Sequence, residues 1–181
     1  MTLAIDRIHH VAYRCRDAKE TVLWYGRMLK MDFVLAIAED RVPSTKEPDP
    51  YMHVFLDAGA GNVLAFFELP TKPEMGRDPN TPDWVQHIAF KVKDRATLLA
   101  YQAHLEANGV EVLGVTDHGA FHSIYFFDPN GHRVELACPD PDEAAMLRRM
   151  DAVKWDMLDE WSRTKRAPKH AAFLHQREFA Q

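Results

Sequence analysis

The stretch IHHVAYRCRD at residues 8–17 returns in similar form as QHIAFKVKD at residues 86–94. Both stretches alternate apolar and polar side chains as a half-buried strand does. His10 and His87 take equivalent positions in the two copies. An internal repeat of this kind predicts a fold built from two similar modules.

A glutamate closes each half of the repeat. NVLAFFEL at residues 62–69 places Glu68 where GHRVEL at residues 131–136 places Glu135. Matching positions that hold an imidazole twice and a carboxylate twice are typical of a site for one divalent metal ion. The repeat therefore predicts a metal site to which both modules contribute.

Hydrophobic periodicity predicts the order strand, helix, strand, strand, strand in each half of the chain. The first half has predicted strands at 8–15, 32–37, 52–57 and 62–68 and a helix at 18–30. The second half has predicted strands at 86–92, 110–115, 122–127 and 132–137 and a helix at 94–108. We expect an α+β fold in which two βαβββ modules, residues 7–69 and 84–138, form a curved mixed sheet, a cup around the metal.

The segments outside this repeat carry separate predictions. Residues 39–51 hold three prolines and many charges, so they are predicted to be a long surface loop. The domain is expected to end near residue 138. Residues 139–181 are then a C-terminal helix, running to about residue 162, and a basic tail.

Composition limits the kind of partner. The chain has 181 residues, a net charge of −5 and no block of like charges, which argues against nucleic acid or an anionic membrane as partner. Its two cysteines, with neither a signal peptide nor a membrane-length apolar run, favour a reducing cytoplasm. Cys15 lies in an apolar strand pattern and is predicted to pack in the core.

Strand parity predicts which side chains line the cup, because successive residues on a strand point to opposite faces. Counting along the strands places His10, His87, Glu68 and Glu135 on the cup face, so all four can share one concavity. The same counting assigns these further side chains to the cup: Ala12, Arg14, Leu64, Phe66, Ala89, Lys91 and Arg133.

With these motifs the chain resembles the vicinal oxygen chelate superfamily, which includes glyoxalase I, methylmalonyl-CoA epimerase, fosfomycin-resistance proteins and the type I extradiol ring-cleaving dioxygenases. The resemblance spans about residues 7–138 and rests on HHVA…RD, HIAFKV.D, ANGVEV, SIYFFDPNG and HRVEL in the expected order. It implies that His10, His87 and Glu135 are metal ligands. It also implies that Glu68 stands where glyoxalase I has a fourth ligand.

The number of protein ligands separates two chemistries. Two histidines and one carboxylate leave open positions, which suits iron(II) that holds a catecholate and dioxygen together. Four ligands suit nickel, cobalt or zinc and a proton-transfer isomerisation, and manganese is a further alternative. Glu68 therefore decides between the two chemistries.

The segment DHGAFHSIYFFDPNG, residues 117–131, favours ring cleavage. Parity places Tyr125 on the face of Glu135, its neighbour across the hairpin. In extradiol dioxygenases a tyrosine at this place and a histidine shortly before it lie beside the iron, and the matching residues are Tyr125 and His118. We expect a homodimeric iron(II) extradiol dioxygenase that takes dioxygen and a catechol-type aromatic.

Two other functions stay open. One is a glyoxalase-type lyase or isomerase of a dicarbonyl substrate, and the other is a metal-free binding protein of the bleomycin-resistance type. The chain also departs from the larger extradiol enzymes, because residues 69–86 contain no histidine upstream of the second ligand. The acid–base group is therefore unassigned, and His53, on a different strand, is the spare histidine nearby.

Overall fold

The computed structural model describes residues 4–173, and the last part of the predicted tail, residues 174–181, lies outside the described residues. The chain divides into two compact units. The first unit is the chain up to Gln86 together with Phe127–Arg133, and the second is His87–Phe126 together with the chain from Val134 onward.

The first unit holds one four-stranded mixed sheet and one helix. Its elements are β1 (Val11–Cys15), α1 (Ala18–Leu29), β2 (Asp32–Arg41), β3 (Pro48–Asp57) and β4 (Val63–Glu68). The strands lie in the order β1-β4-β3-β2, with β1 parallel to β4 and the other neighbours antiparallel. This order makes β4 and β3 the central strands, and they supply much of the core.

Helix α1 begins and ends at clear local signals. The Asp17 carboxylate accepts a hydrogen bond from the Glu20 N–H, which satisfies one of the free amides of the first turn. Lys30 ends the helix in the left-handed conformation. The buried side of the helix carries Tyr25, whose hydroxyl donates to Asp128 at 3.1 Å.

The second unit repeats the arrangement and adds a C-terminal helix. Its elements are β5 (His87–Lys91), α2 (Arg95–Ala107), β6 (Leu113–Asp117), β7 (Phe121–Phe127), β8 (Arg133–Pro139), α3 (Glu143–Thr164) and a 3₁₀ turn (Lys169–Ala171). The strand order β5-β8-β7-β6 matches that of the first sheet, position by position. The predicted α+β class, the two repeated modules and the C-terminal helix are confirmed.

The predicted long loop at residues 39–51 is wrong. Strand β2 continues to Arg41 and β3 begins at Pro48, so the connection is short. Prolines are tolerated here because the first residues of β3 extend beyond β4, whose pairing begins at Met52. Pro50 lies where the β2–β3 ladder shifts register, so its missing N–H breaks no regular pair.

The edge strand β6 begins later than the predicted 110–115. Its pairing with β7 shifts register between Gly114 and Thr116. Gly114 has a φ of +121°, and a Cβ there would lie 2.7 Å from the Ser123 carbonyl oxygen, so only glycine fits this approach.

Within residues 4–173, no helix combines the length and the apolar character that a bilayer crossing requires.

Candidate functional site

The second unit brings His87 and Glu135 together. Strand β8 lies between β5 and β7, so Glu135 has neighbours on both sides. Its carboxylate lies 2.9 Å from His87 Nε2 on β5 and accepts a hydrogen bond from the Ser123 hydroxyl on β7. Glu135 is only 4% exposed. The carboxylate is therefore held from two sides and has little freedom to turn.

The chemistry of this pair fits a divalent metal. Imidazole nitrogen and carboxylate oxygen are both common ligands of iron(II), zinc and manganese. The hydrogen bond from Ser123 orients the carboxylate, as groups behind metal ligands commonly do. Across residues 4–173, no three His, Cys, Asp or Glu side chains are grouped closely enough to hold an ion. The second unit thus supplies two donors of the predicted set.

The same unit joins Tyr125 to His118. The Tyr125 hydroxyl lies 2.8 Å from His118 Nε2, and the ring of Tyr125 lies edge-on to that of His87 at a centroid distance of 6.0 Å. His118 is held in a turn, where its N–H donates to the Phe121 carbonyl at 2.9 Å. Tyr125 shares the face of Ser123, which contacts Glu135. His87, Glu135, Tyr125 and His118 are therefore linked by direct contacts.

In the first unit, His10 lies close to two other histidines, His9 and His53. His10 Nδ1 is 2.8 Å from His9 Nδ1, and the His10 ring lies 6.0 Å from the ring of His53 and 5.7 Å from that of Phe55. His53 is 7% exposed and stacks on Phe67 at 3.6 Å. Burial, and then the neighbouring His10, lower the pKa of His53.

The predicted placement of Glu68, Leu64 and Phe66 on the His10 face is wrong. Parallel pairing sets Glu68 beside Cys15 and Phe66 beside Tyr13, so these side chains point to the helix. Phe66 accordingly contacts Tyr25 of α1 at a centroid distance of 5.1 Å. The Glu68 carboxylate accepts a hydrogen bond from Ala18 N–H, the first residue of α1, at 2.7 Å.

Replacing Glu68 with glutamine is expected to affect stability and to leave metal binding intact. A carboxylate at a helix N-terminus stabilises by about 0.5–2 kcal/mol, and the neutral amide keeps only part of that. Thermal unfolding and metal content, measured beside an exposed control, Glu74→Gln, check this. Loss of the metal with unchanged stability would restore Glu68 to the ligand set.

Both cysteines are buried free thiols, which agrees with a packing role for Cys15. Burial raises the pKa of Cys15 to about 11, so the thiol stays protonated near neutral pH. Cys15 therefore adds no nucleophile to the site.

A distant curated relative is similar to half of the chain. The ring-cleaving dioxygenase candidate MhqA of Bacillus subtilis (strain 168) is 27% identical over 88 residues, which cover 49% of this chain and 28% of MhqA. The aligned part of the chain thus corresponds to less than a third of that relative.

Solved structures share the fold at low identity. A glyoxylase/bleomycin resistance protein/dioxygenase domain from Frankia sp. EAN1pec has a TM-score of 0.59 at 16% identity, covering 76% of this chain and 100% of that one. The fosfomycin resistance protein FosX from Listeria monocytogenes has a TM-score of 0.56 at 21% identity, covering 77% and 98%. A glyoxalase family protein from Enterococcus faecalis has a TM-score of 0.53 at 25% identity, covering 73% and 97%.

A family model spans both halves of the repeat. It matches residues 7–136, from the approach to β1 into β8. The chain therefore belongs to the glyoxalase/bleomycin resistance protein/dioxygenase superfamily.

Proposed function

We propose that the chain is an iron(II)-dependent extradiol dioxygenase that cleaves the ring of a catechol-type aromatic. The observation that carries this proposal is the 2.8 Å contact between the Tyr125 hydroxyl and His118 Nε2, beside the ring of His87. A phenol paired with an imidazole can hold or move a proton at a substrate hydroxyl. The similarity to MhqA, named for ring cleavage, supports the same chemistry.

The proposed metal ligands are His87 and Glu135, with His10 as the third ligand that the sequence predicts. When bound, iron(II) supplies one centre at which vicinal hydroxyls and dioxygen can be held together. The fold accommodates a divalent ion in at least one relative, since FosX from Listeria monocytogenes has been solved with Mn(II). In this chain, the contact with Ser123 holds the Glu135 carboxylate ready for that role.

Tyr125 and His118 have complementary parts in the proposed reaction. When His118 is neutral and carries its proton on Nδ1, its Nε2 accepts a hydrogen bond from the tyrosine hydroxyl, and the phenol oxygen can accept a hydrogen bond from a substrate hydroxyl. When His118 is protonated, Nε2 donates instead, and the phenol can donate to a substrate oxygen. The pair can therefore take up and return one proton during turnover.

The competing functions have weaker support. A glyoxalase-type site with four protein ligands needs Glu68 as the fourth. The Glu68 carboxylate instead accepts a hydrogen bond from Ala18 N–H at the start of α1. A metal-free binding protein does not require an imidazole beside a buried carboxylate, whereas a metal site does, and His87 and Glu135 form such a pair. A homodimer and a cytoplasmic location stay predictions.

Metal reconstitution followed by a ring-cleavage assay tests the proposal. The protein is stripped of metal, reloaded without oxygen with iron(II), manganese, cobalt, nickel or zinc, and then given air and a panel of catechols. We expect a yellow ring-opened product with iron(II) and none with the metal-free control. Isomerisation of a glutathione–dicarbonyl adduct with nickel or zinc, with no ring cleavage under any metal, would replace this proposal by the glyoxalase one.

A further inference from the structure

Helix α3 carries a stripe of large apolar side chains that faces solvent. Leu147, Leu158 and Trp161 are 50%, 56% and 47% exposed, respectively. A different side of the same helix carries Met146, which is buried. Large apolar side chains that follow one line on an exposed helix mark an interaction surface.

The exposed stripe belongs to a heptad pattern. Its positions are spaced alternately three and four residues apart, as in the seam of a coiled coil. All of them are exposed in the described chain. They are Ala144, Leu147, Asp151, Lys154, Leu158 and Trp161. We call this set the α3 seam.

The α3 seam is complementary to itself when two copies of the helix run antiparallel. A two-fold axis that passes between residues 152 and 153 sets Leu147 opposite the partner's Leu158. The same axis sets Asp151 opposite the partner's Lys154. The leucine layers therefore lie on both sides of a central pair of acid–base layers.

The ends and the flank of the seam match in the same arrangement. Ala144 lies opposite the partner's Trp161, so the smallest side chain of the seam faces the largest. Beside the seam, Arg148 comes close to the partner's Trp155, which is 70% exposed. A guanidinium over an indole ring is a favourable contact.

The described part of the tail leaves the seam open. It contacts α3 at Arg149 and Glu160, which about 3.6 residues per turn place on the side of the helix opposite the seam. The Phe173 ring lies 4.0 Å from the Arg149 guanidinium, and His170 Nδ1 lies 2.8 Å from the Glu160 carboxylate. Residues 165–173 therefore do not compete for the seam.

A parallel pair of helices or a membrane fits the seam less well. In a parallel pair each side chain faces its own copy, so Asp151 would face the partner's Asp151 and Lys154 the partner's Lys154. On a membrane, the Asp151 carboxylate would have to enter the apolar layer between the two leucines. The charges of the seam therefore favour an antiparallel second copy.

We propose that the α3 seam is an interface between two copies of this chain, packed antiparallel about a two-fold axis. Asp151 and Lys154 form an ion pair within one helix, and in the dimer each also faces its opposite charge across the axis. The seam spans about 27 Å of helix, a small interface, so the association is reversible and depends on concentration. Helix α3 follows the residues that the family model matches, and the proposal is independent of ring cleavage.

Charge reversal in the seam tests the interface. The mass of the full chain is measured by sedimentation velocity over about 1–100 µM, a range that detects weak association. The variants are Asp151→Lys, Lys154→Asp and an equimolar mixture of the two. The control is Asp156→Lys, which makes the same charge change on α3 away from the seam. Thermal unfolding verifies that each variant is folded.

We expect the wild type and the Asp156→Lys control to double their mass reversibly as concentration rises. Each single seam variant sets like charges opposite each other in two layers and should weaken association by at least about tenfold. The mixture restores opposite charges in both layers and should associate as the wild type does.

Cysteine cross-linking tests the direction of the helices. Under mild oxidation, a mixture of the Leu147→Cys and Leu158→Cys variants should cross-link, and neither variant should cross-link alone. In the antiparallel pair, position 147 lies about 16 Å along the axis from the partner's position 147, whereas a disulfide needs Cα atoms within about 7 Å. The native cysteines are buried, and the wild type controls for them.

A wild type that stays monomeric over the whole range would overturn the proposal, as would equal association of the wild type and both seam variants. Association that is lost in the single variants and not regained in their mixture would also overturn it, because the two charges would then not be partners. Cross-linking of Leu147→Cys to itself would replace the antiparallel arrangement by a parallel one. A monomer that sediments with anionic phospholipid vesicles would assign the seam to a membrane instead.

Discussion

Replacing Tyr125 with phenylalanine is expected to lower turnover by about ten- to a thousandfold, the range for losing one positioned proton-transfer or hydrogen-bonding group. The change keeps the ring that lies against His87 and removes only the hydroxyl that contacts His118 at 2.8 Å. Fold and metal content should therefore survive. Steady-state kinetics on a catechol that the wild type cleaves, with iron(II) loaded equally, measure the effect.

Two further variants separate a chemical role from a structural one. His118→Ala should act in the same direction, and the double variant should lose less than the sum of the single losses if both residues serve one step. Tyr101→Phe on α2 removes a hydroxyl from the same unit and should leave turnover unchanged. Wild-type turnover in Tyr125→Phe would show that its hydroxyl contributes only packing, and the main support for ring cleavage would be lost.

Replacing His87 with alanine is expected to remove most of the metal and, with it, the activity. The variant loses one nitrogen ligand and leaves Glu135 with the Ser123 hydroxyl as its contact on β7. Loss of a group behind a ligand already weakens metal affinity by about ten- to a hundredfold, so loss of the ligand itself should exceed that. Metal content per chain after gel filtration checks this.

The control for this experiment is His104→Ala, which deletes an imidazole from α2 and should keep the metal. His10→Ala and Glu135→Ala should resemble His87→Ala. Stoichiometric metal in all three site variants would refute the predicted ligand set, whatever their activities. Metal lost from His87→Ala and Glu135→Ala but kept by His10→Ala would restrict the site to the second unit.

The two-module fold could be predicted because the repeat shows in the sequence at several levels at once. Strand alternation and helix periodicity agree in both halves, and the Asn130–Gly131 turn marks the last hairpin of the second half. The predicted loop at residues 39–51 is wrong because the proline content of a segment does not reveal where β3 begins to pair with β4. Pro48 and Pro50 lie where β3 extends beyond β4, its second neighbour, and no local sequence pattern contains this fact of register.

The site was only partly predictable for a related reason. Parity grouped Tyr125 with Glu135 because β7 and β8 are joined by a tight turn that fixes their faces. It failed for Glu68 because NVLAFFEL is apolar on both faces, and the pairing with β1 decides which face meets α1. The sequence assigns no role to His53, because only the structure reveals that its Nε2 has no hydrogen-bond partner within residues 4–173 and that its ring lies 6.0 Å from that of His10.

The most direct test of the proposed chemistry is the fate of labelled dioxygen. The iron(II)-loaded protein is given ¹⁸O₂ and a catechol, and the ring-opened product is analysed by mass spectrometry with rapid quenching to limit exchange with water. The proposal predicts that both labelled atoms appear in a ring-opened product, with the ring bond beside the diol broken. A product that carries no label, or an intact ring after complete reaction, would contradict it.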